Sequence, residues 1–388
     1  MFNFTFHNPT RIHFGKGQIS AISPEIPAKA KVLLTYGGGS IRQNGVFEQA
    51  LRALKGHTVL EFGGIEPNPE FETLMEAVRF ARKEKVDFLL AAGGGSVLDG
   101  TKYIAAAIPF KGDPWDICRK GAQVKRAIPL GTILTLPATG SESNPFAVIS
   151  RAETSEKLAF SSDHCYPKFA VLDPETTFSL PARQVANGVV DAFVHTMEQY
   201  LTYPANAPLQ DRFAESILQT LIEVGPKTLA APSDYDLRAT FVWSATMALN
   251  GLIGAGVPQD WATHMIGHEL TALYGIDHAR TLAVVLPHLL RVRKEQKREK
   301  LLQFASRVWG VQKGEDGERI EKAIRKMEKF FESLGVPTRL SAHPGVESDT
   351  PAIVASRLKS RGFTKLGERQ DVTPPVVERT LALSLAAA

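Results

Sequence analysis

The sequence predicts an α/β N-terminal domain with a parallel, Rossmann-like sheet, followed by an all-α C-terminal domain. Three observations carry this. Between Lys31 and Leu172, short apolar runs alternate with helical periodicities, and such uniformly apolar strands are those of a parallel sheet covered on both faces. Two of the runs end in the same glycine-rich turn, GGGS, at 37–40 and 93–96. From Gln184 to about Ser333, helical periodicity dominates and β-like runs are few. A boundary near 180 follows, with domains 1–180 and 181–388, as expected for 388 residues, too many for one small core.

Taken in order, residues 2–14 alternate, with Phe2, Phe4 and Phe6 on one face and Asn8-Pro9 as a turn, and predict a β-hairpin. Strands follow at 31–35 (KVLLT) and 57–62. Asn68-Pro69-Glu70 opens an amphipathic helix reaching about Lys85. A third strand at 87–92 (DFLLAA) runs into 93–96 and a helix, and a fourth spans 128–136. Segments 146–150 and 157–160 form a second hairpin before the strand at 169–172. Proline-rich breaks at 203–208 and 231–233 separate helices of the second half, and Gly335 and Pro337 stop the helix at 320–334. The alanines at 386–388 read as a frayed end.

Composition excludes several classes. A net charge of +4 gives no basis for binding nucleic acid or a charged membrane. The one basic excess, the run from Arg291 to Lys300, is interleaved with Glu295 and Glu299 and reads as a solvated helix face. Two cysteines without a CxxC spacing argue against a disulfide scaffold. With neither a signal-like N-terminus nor a spanning apolar run, the expected location is cytoplasmic.

Glycine lets backbone N–H groups approach an anion, and a following helix adds its positive end. Two GGGS turns on neighbouring strands therefore suit the pyrophosphate and riboses of a dinucleotide, although a tight βα turn also needs glycine for geometry alone. Gly95 to Gly100 has P-loop spacing, but Thr101 precedes Lys102, the reverse of a Walker motif. Position 98 is Leu, so no full G-x-G-x-x-G is present.

Four of the ten histidines fall between 264 and 288. His264 and His268 lie one turn apart on a helix, and His278 follows a helix-breaking Tyr274-Gly275. Upstream, Asp191 and His195 share a helical face at i, i+4. Taken singly, each is equally well a core histidine or a surface pair. Together they offer one carboxylate and three imidazoles, a set suited to Zn²⁺ or Fe²⁺.

The order GGGSVLDGTK (93–102), PATGSE (137–142), NGVVDAFVHTMEQY (187–200), GVPQDWATHMIGHEL (256–270) and GIDHA (275–279) resembles the iron-dependent, or group III, alcohol dehydrogenase family. Within it the likeness is to the NADPH-dependent aldehyde reductase and butanol dehydrogenase branch. The resemblance implies a dehydroquinate synthase-like fold, with a nucleotide domain, a helical domain and a metal in the cleft between them. It implies Asp191, His195, His264 and His278 as metal ligands, with His268 beside the nicotinamide as a catalytic residue. The pyrophosphate loop matches Gly93, Gly94, Gly95 and Ser96. Asp99 and Lys102 follow that loop, as cofactor-side residues or as supports of the helix, and Thr135, Ser141 and Lys157 fall where family members line the cofactor's ribose and nicotinamide side. Many members carry an aspartate after the first strand, whereas this chain has Gly37, Gly38, Gly39 and Ser40, which admits a 2′-phosphate and points to NADP(H) over NAD(H). One departure is Pro137-Ala138, where many relatives have a Thr-rich stretch.

The implied function is reversible hydride transfer between NADP(H) and short-chain aldehydes or primary alcohols, aided by one Fe²⁺ or Zn²⁺. Val148, Leu252 and Trp261 suggest a substrate with little charge. The chain is expected to act as a homodimer on small molecules, with no nucleic-acid or membrane partner. Two alternatives stand beside it: a metal- and NAD-dependent non-redox lyase of the dehydroquinate synthase type, and a metal-stabilised nucleotide-binding module without catalysis.

Overall fold

A computed structural model describes residues 1–385, so the terminal alanines 386–388 lie outside the described residues. Two compact units form. One, mixed α/β, holds His7–Pro181 and Pro232–Thr246; the other, helical, holds Met1–Phe6, Ala182–Ala231 and Met247–Ala388.

The α/β unit runs β1 (Arg11–Phe14), β2 (Lys31–Tyr36), α1 (Ser40–Gln43), α2 (Val46–Ala53), β3 (Thr58–Phe62), α3 (Phe71–Glu84), β4 (Phe88–Gly94), α4 (Gly95–Ala107), α5 (Asp116–Arg119), β5 (Leu130–Leu136), β6 (Phe146–Arg151), β7 (Glu156–Ser161) and β8 (Phe169–Leu172). Six strands make one parallel sheet in the order β1-β8-β5-β4-β2-β3. The inner strands β2, β4, β5 and β8 are buried on both faces, which is why they read as unbroken apolar runs, whereas the edge strands β1 and β3 are partly exposed. Val32, Leu34, Leu90 and Ala92 pack on one side with Val46, Phe47 and Ala50 of α2. Leu33, Leu89 and Ala91 pack on the other with Leu74 of α3 and Ile104 of α4. The helices following β2 and β4 thus take opposite faces, so the carboxyl ends of these adjacent strands form a switch point, where doubly wound sheets bind ligands. Strands β6 and β7 form the expected antiparallel hairpin.

Three expectations need correction. Residues 2–14 are not a hairpin: β1 pairs in parallel with β8, and Phe2, Phe4 and Phe6 precede it unpaired as strand and about half exposed. Alternation signals extended chain, but the partner strand lies far along the sequence. Asn68 does not open a helix; it stands at φ 58° and α3 begins at Phe71. Finally, the second domain is not one continuous segment. Pro232–Thr246 belongs to the α/β unit, where Val242 joins the sheet core, Thr246 donates to Glu142 Oε1 at 2.6 Å, and Arg238 donates to Thr177 O at 3.3 Å.

The remaining helices are α6 (Ala182–Tyr200), α7 (Pro208–Ala230), α8 (Tyr235–Ala248), α9 (Ala262–Tyr274), α10 (His278–Val292), α11 (Arg298–Arg307), α12 (Asp316–Ser333), α13 (Thr350–Ser360) and α14 (Pro374–Leu385). Every residue of α6 from Val185 to Tyr200 is buried, the signature of a helix packed on all sides. Ala262, Ile266 and Leu270 form the core stripe of α9 and pack with Val284, Val285 and Leu289 of α10. Two residues off that stripe, His264 and His268 point from a different face. At Gly267 a Cβ would stand 2.7 Å from Thr281 Oγ1, so glycine permits the close approach of α9 to α10. No helix among the described residues is long and apolar enough to cross a membrane.

Candidate metal centre and nucleotide turns

The expected ligands assemble inside the helical unit. Asp191 and His195 sit one turn apart on α6, His264 lies in the first turn of α9, and His278 opens α10 after Gly275 (φ 64°) ends α9. Asp191 Oδ1 faces His195 Nε2 at 3.7 Å, His278 Nε2 at 3.7 Å and His264 Nε2 at 3.9 Å. Donor atoms of Asp191, His195 and His264 all lie within 4.8 Å of one another. Two ligands ~2.1 Å from a tetrahedral ion stand roughly 3.4 Å apart, so the spacing is close to that of a ligand shell. Asp191 is only 3% exposed, and its Oδ1 makes no hydrogen bond. A buried carboxylate left so is costly, and a dication amid three imidazoles offsets the cost. The residues therefore fit a divalent metal.

Glu198, which sequence reasoning passed over, completes the arrangement. Its Oε2 pairs with His264 Nδ1 and its Oε1 accepts from Thr263 N at 2.7 Å. That contact commits Nδ1–H to the carboxylate and leaves Nε2 to face Asp191. Burial pushes the Glu198 carboxyl up, and the neighbouring Asp260 adds to the effect. The spacing Asp191, His195, Glu198 (i, i+4, i+7) marks one helical face and was the signal that could have found it. His268 is buried, its ring centroid 5.3 Å from that of His278 and 6.3 Å from that of His264. Trp261, held at φ 64°, sets its ring 5.4 Å from His264 and 6.2 Å from His195. The loop ahead of His278 is fixed by Asp277, which accepts from Arg183 at 2.8 Å and Asn187 at 2.9 Å.

The glycine turns lie at the carboxyl ends of β2 and β4 in the α/β unit. They differ in what their glycines do. A Cβ at Gly93 would fall 2.6 Å from Val97, at Gly94 2.9 Å from Leu136, and at Gly95 2.5 Å from Thr139, so these glycines are required by packing at the start of α4. Gly38 and Gly39 meet nothing within 4 Å, and Gly39 takes φ +96°; Ser40, exposed, begins α1. Gly37 is closer, with a Cβ 3.2 Å from Ile65 O.

Around α4, Ser141 Oγ donates to Asp99 Oδ1 at 2.6 Å and accepts from Lys102 Nζ at 2.9 Å. Val148 N donates to Asp99 Oδ2 at 2.9 Å, and Lys102 also reaches Asn144 and the Phe146 carbonyl. Asp99, Lys102 and Ser141 thus fasten α4 to the segment 141–148, which runs into β6. Burial lowers the Lys102 ammonium to about 8, against Asp99, and raises the Asp99 carboxyl. Asn68, also missed from sequence, links two expected cofactor residues: its N donates to Ser96 Oγ at 3.2 Å and its Oδ1 accepts from Lys157 Nζ at 2.7 Å. Thr135 is buried near the end of β5.

Comparison with known proteins agrees with this architecture. Residues 9–174 match the iron-containing alcohol dehydrogenase family, and 185–369 match the C-terminal region of the Fe-containing alcohol dehydrogenase family. The chain is 61% identical over 382 residues, 98% of each chain, to the NADPH-dependent aldehyde reductase YqhD of Escherichia coli K12. The crystal structure of E. coli K-12 YqhD superposes with TM-score 0.97 at 59% identity, covering 99% of both chains. That of NADH-dependent butanol dehydrogenase A from Thermotoga maritima gives 0.95 at 36% identity, covering 100% of this chain and 99% of the other.

Proposed function

The chain belongs to the iron-containing alcohol dehydrogenase family, and on that premise we propose that it is a metal-dependent alcohol dehydrogenase and aldehyde reductase. It transfers hydride reversibly between NADP(H) and short-chain aldehydes or primary alcohols. The observation that carries this is the buried Asp191 carboxylate facing three imidazoles within 3.9 Å. Asp191, His195, His264 and His278 would hold the metal, Fe²⁺ or Zn²⁺, both of which accept such donors. When bound, the metal polarises the substrate carbonyl and the reduced nicotinamide supplies the hydride. Glu198 orients His264, and His268 holds a proton on its imidazole for the product oxygen.

The turn at 93–96, at the N-terminus of α4, would take the pyrophosphate, with Ser96, Asp99, Thr135, Ser141 and Lys157 lining or supporting the cofactor side. Support for NADP(H) comes from the turn at 37–40, where two glycines border open space and no carboxylate stands, and from the E. coli relative, named NADPH-dependent. The lyase alternative recedes because the relatives cited are reductases and dehydrogenases. We further infer a cytoplasmic homodimer, supported by two unpaired cysteines and by β1 lying at an edge of the sheet; light scattering tests the assembly.

Protein stripped with chelator and reloaded with Fe²⁺ or Zn²⁺ is expected to oxidise NADPH, faster than NADH, with a panel of short aldehydes. Failure with every aldehyde and both metals would sink the reading. His278→Ala should abolish metal retention, whereas His268→Ala should retain metal and slow turnover. Equal metal loss in both would show this division of roles to be wrong.

A further inference from the structure

The basic run from Arg291 to Lys300 is only in part the solvated face its composition suggests: Lys294, Glu295, Gln296, Arg298 and Glu299 are exposed, but three of its cations are not. It spans the end of α10, a turn and the start of α11, and Arg293, Lys297 and Lys300 within it are buried. Lys297 makes three contacts with three separate segments. Its Nζ donates to Leu201 O at 2.6 Å, to Glu368 Oε1 at 2.7 Å and to Asp260 Oδ2 at 2.9 Å. An ammonium has three donors, and all three are committed. The three side chains are 3%, 4% and 6% exposed, respectively, for Lys297, Glu368 and Asp260.

Two of those segments carry the metal ligands. Leu201 directly follows α6, which bears Asp191, His195 and Glu198. Asp260 directly precedes the first turn of α9, which bears His264; its Oδ1 accepts from Ala262 N at 3.0 Å, and its own N donates to Glu198 O at 2.8 Å. From Asp260 the path continues through Thr263 N to Glu198 Oε1, and Glu198 Oε2 meets His264 Nδ1. We propose that Lys297 is a positioning residue of the metal centre. Its ammonium clamps the C-terminal end of α6 to the entry of α9, fixing the separation of the Asp191–His195 pair from His264. The proposal rests on the metal-centre reading above.

Lys297 is chosen over its neighbour Lys300 by connectivity rather than burial. Lys300 is equally enclosed and donates to Asp211 Oδ1 at 2.7 Å above the Tyr200 ring, but none of these contacts reaches α9. Losing the Lys297 ammonium leaves Asp260 and Glu368 buried beside each other without a counter-charge, so the turn entering α9 must rearrange. Losing Lys300 uncovers one acid, Asp211, whose side chain is 24% exposed and which keeps Gln303 as a donor, so the cost is smaller and does not reach α9.

The test titrates full-length, metal-stripped protein with Co²⁺ against a chromophoric chelator and records the ligand-field spectrum. Wild-type protein is expected to bind one Co²⁺ tightly; failure to do so removes the metal-centre reading itself. With wild-type binding established, Lys297→Met should raise the Co²⁺ Kd about tenfold or more and alter the spectrum. Lys300→Met, which also removes a buried ammonium, should lower Tm but leave both unchanged. A wild-type Kd and spectrum in Lys297→Met, or equal weakening in both variants, overturns the proposal. Should Lys297→Met not fold, Lys297→Arg decides, because it keeps the charge but cannot place three donors on one atom. A shifted spectrum then supports the clamp, and wild-type behaviour overturns it.

Discussion

At the scale of single residues, the site turns on how a carboxylate fixes an imidazole. Glu198 offers two acceptor oxygens to two donors, Thr263 N–H and the His264 ring. A glutamine in its place offers one acceptor and one donor, so one of the two N–H groups must face an amide NH₂. Glu198→Gln is therefore expected to weaken metal binding by roughly 10–100-fold, measured by chelator competition, with little change in secondary structure by circular dichroism. Unchanged affinity would show that His264 needs no such orientation. This residue also marks a limit of reading sequence. Asp191 and His195 were legible as a facing pair, and His264, His268 and His278 as a cluster, because spacing on helices is local. Which of the three imidazoles meets Asp191 depends on the turn at Gly275 and the α9–α10 approach at Gly267, and spacing cannot supply either.

At the scale of elements, the two GGGS turns look alike in sequence and differ in the structure. At 93–96 the glycines are packing necessities: an alanine Cβ at Gly95 would stand 2.5 Å from Thr139 Cγ2 and 2.6 Å from its Oγ1. Gly95→Ala should destabilise the protein by about 1–3 kcal/mol through overpacking, visible as a lowered Tm. Gly38 meets nothing within 4 Å, so Gly38→Ala should leave Tm in place and, under the cofactor reading, raise the KM for NADPH. If both variants lose the same stability, the contrast between the turns is wrong. The parallel strands β2, β4, β5 and β8 were readable because burial on both faces leaves a continuous apolar run. The edge strand β1 was not. Its alternation suggested a hairpin partner nearby, whereas the partner is β8. The run at 291–300 misled at its buried positions for a related reason. Lysine reads as solvent-exposed until acid groups distant in sequence, Asp260 and Glu368 for Lys297, are brought to it.

At the scale of the whole molecule, the chain changes unit at 6/7, 181/182, 231/232 and 246/247, so neither unit is one continuous segment. Yet each ligand site assigned above draws its residues from one unit. Asp191, His195, His264 and His278 are all in the helical unit, and the turns at 37–40 and 93–96 are both in the α/β unit. A ligand that binds the folded state stabilises what it binds, by about 2.7 kcal/mol at a concentration 100 times its Kd, and hydrogen exchange resolves where that protection falls. Adding Zn²⁺ to stripped protein should slow exchange in α6, α9 and α10 and leave β2 and β4 near their starting rates. Adding NADP⁺ without metal should do the reverse, protecting the ends of β2 and β4 and the first turn of α4. Local opening in each unit is then coupled to its own ligand. Equal protection of both units by either ligand would mean that they open only together, and the assignment of one ligand to each would have to rest on the side chains alone.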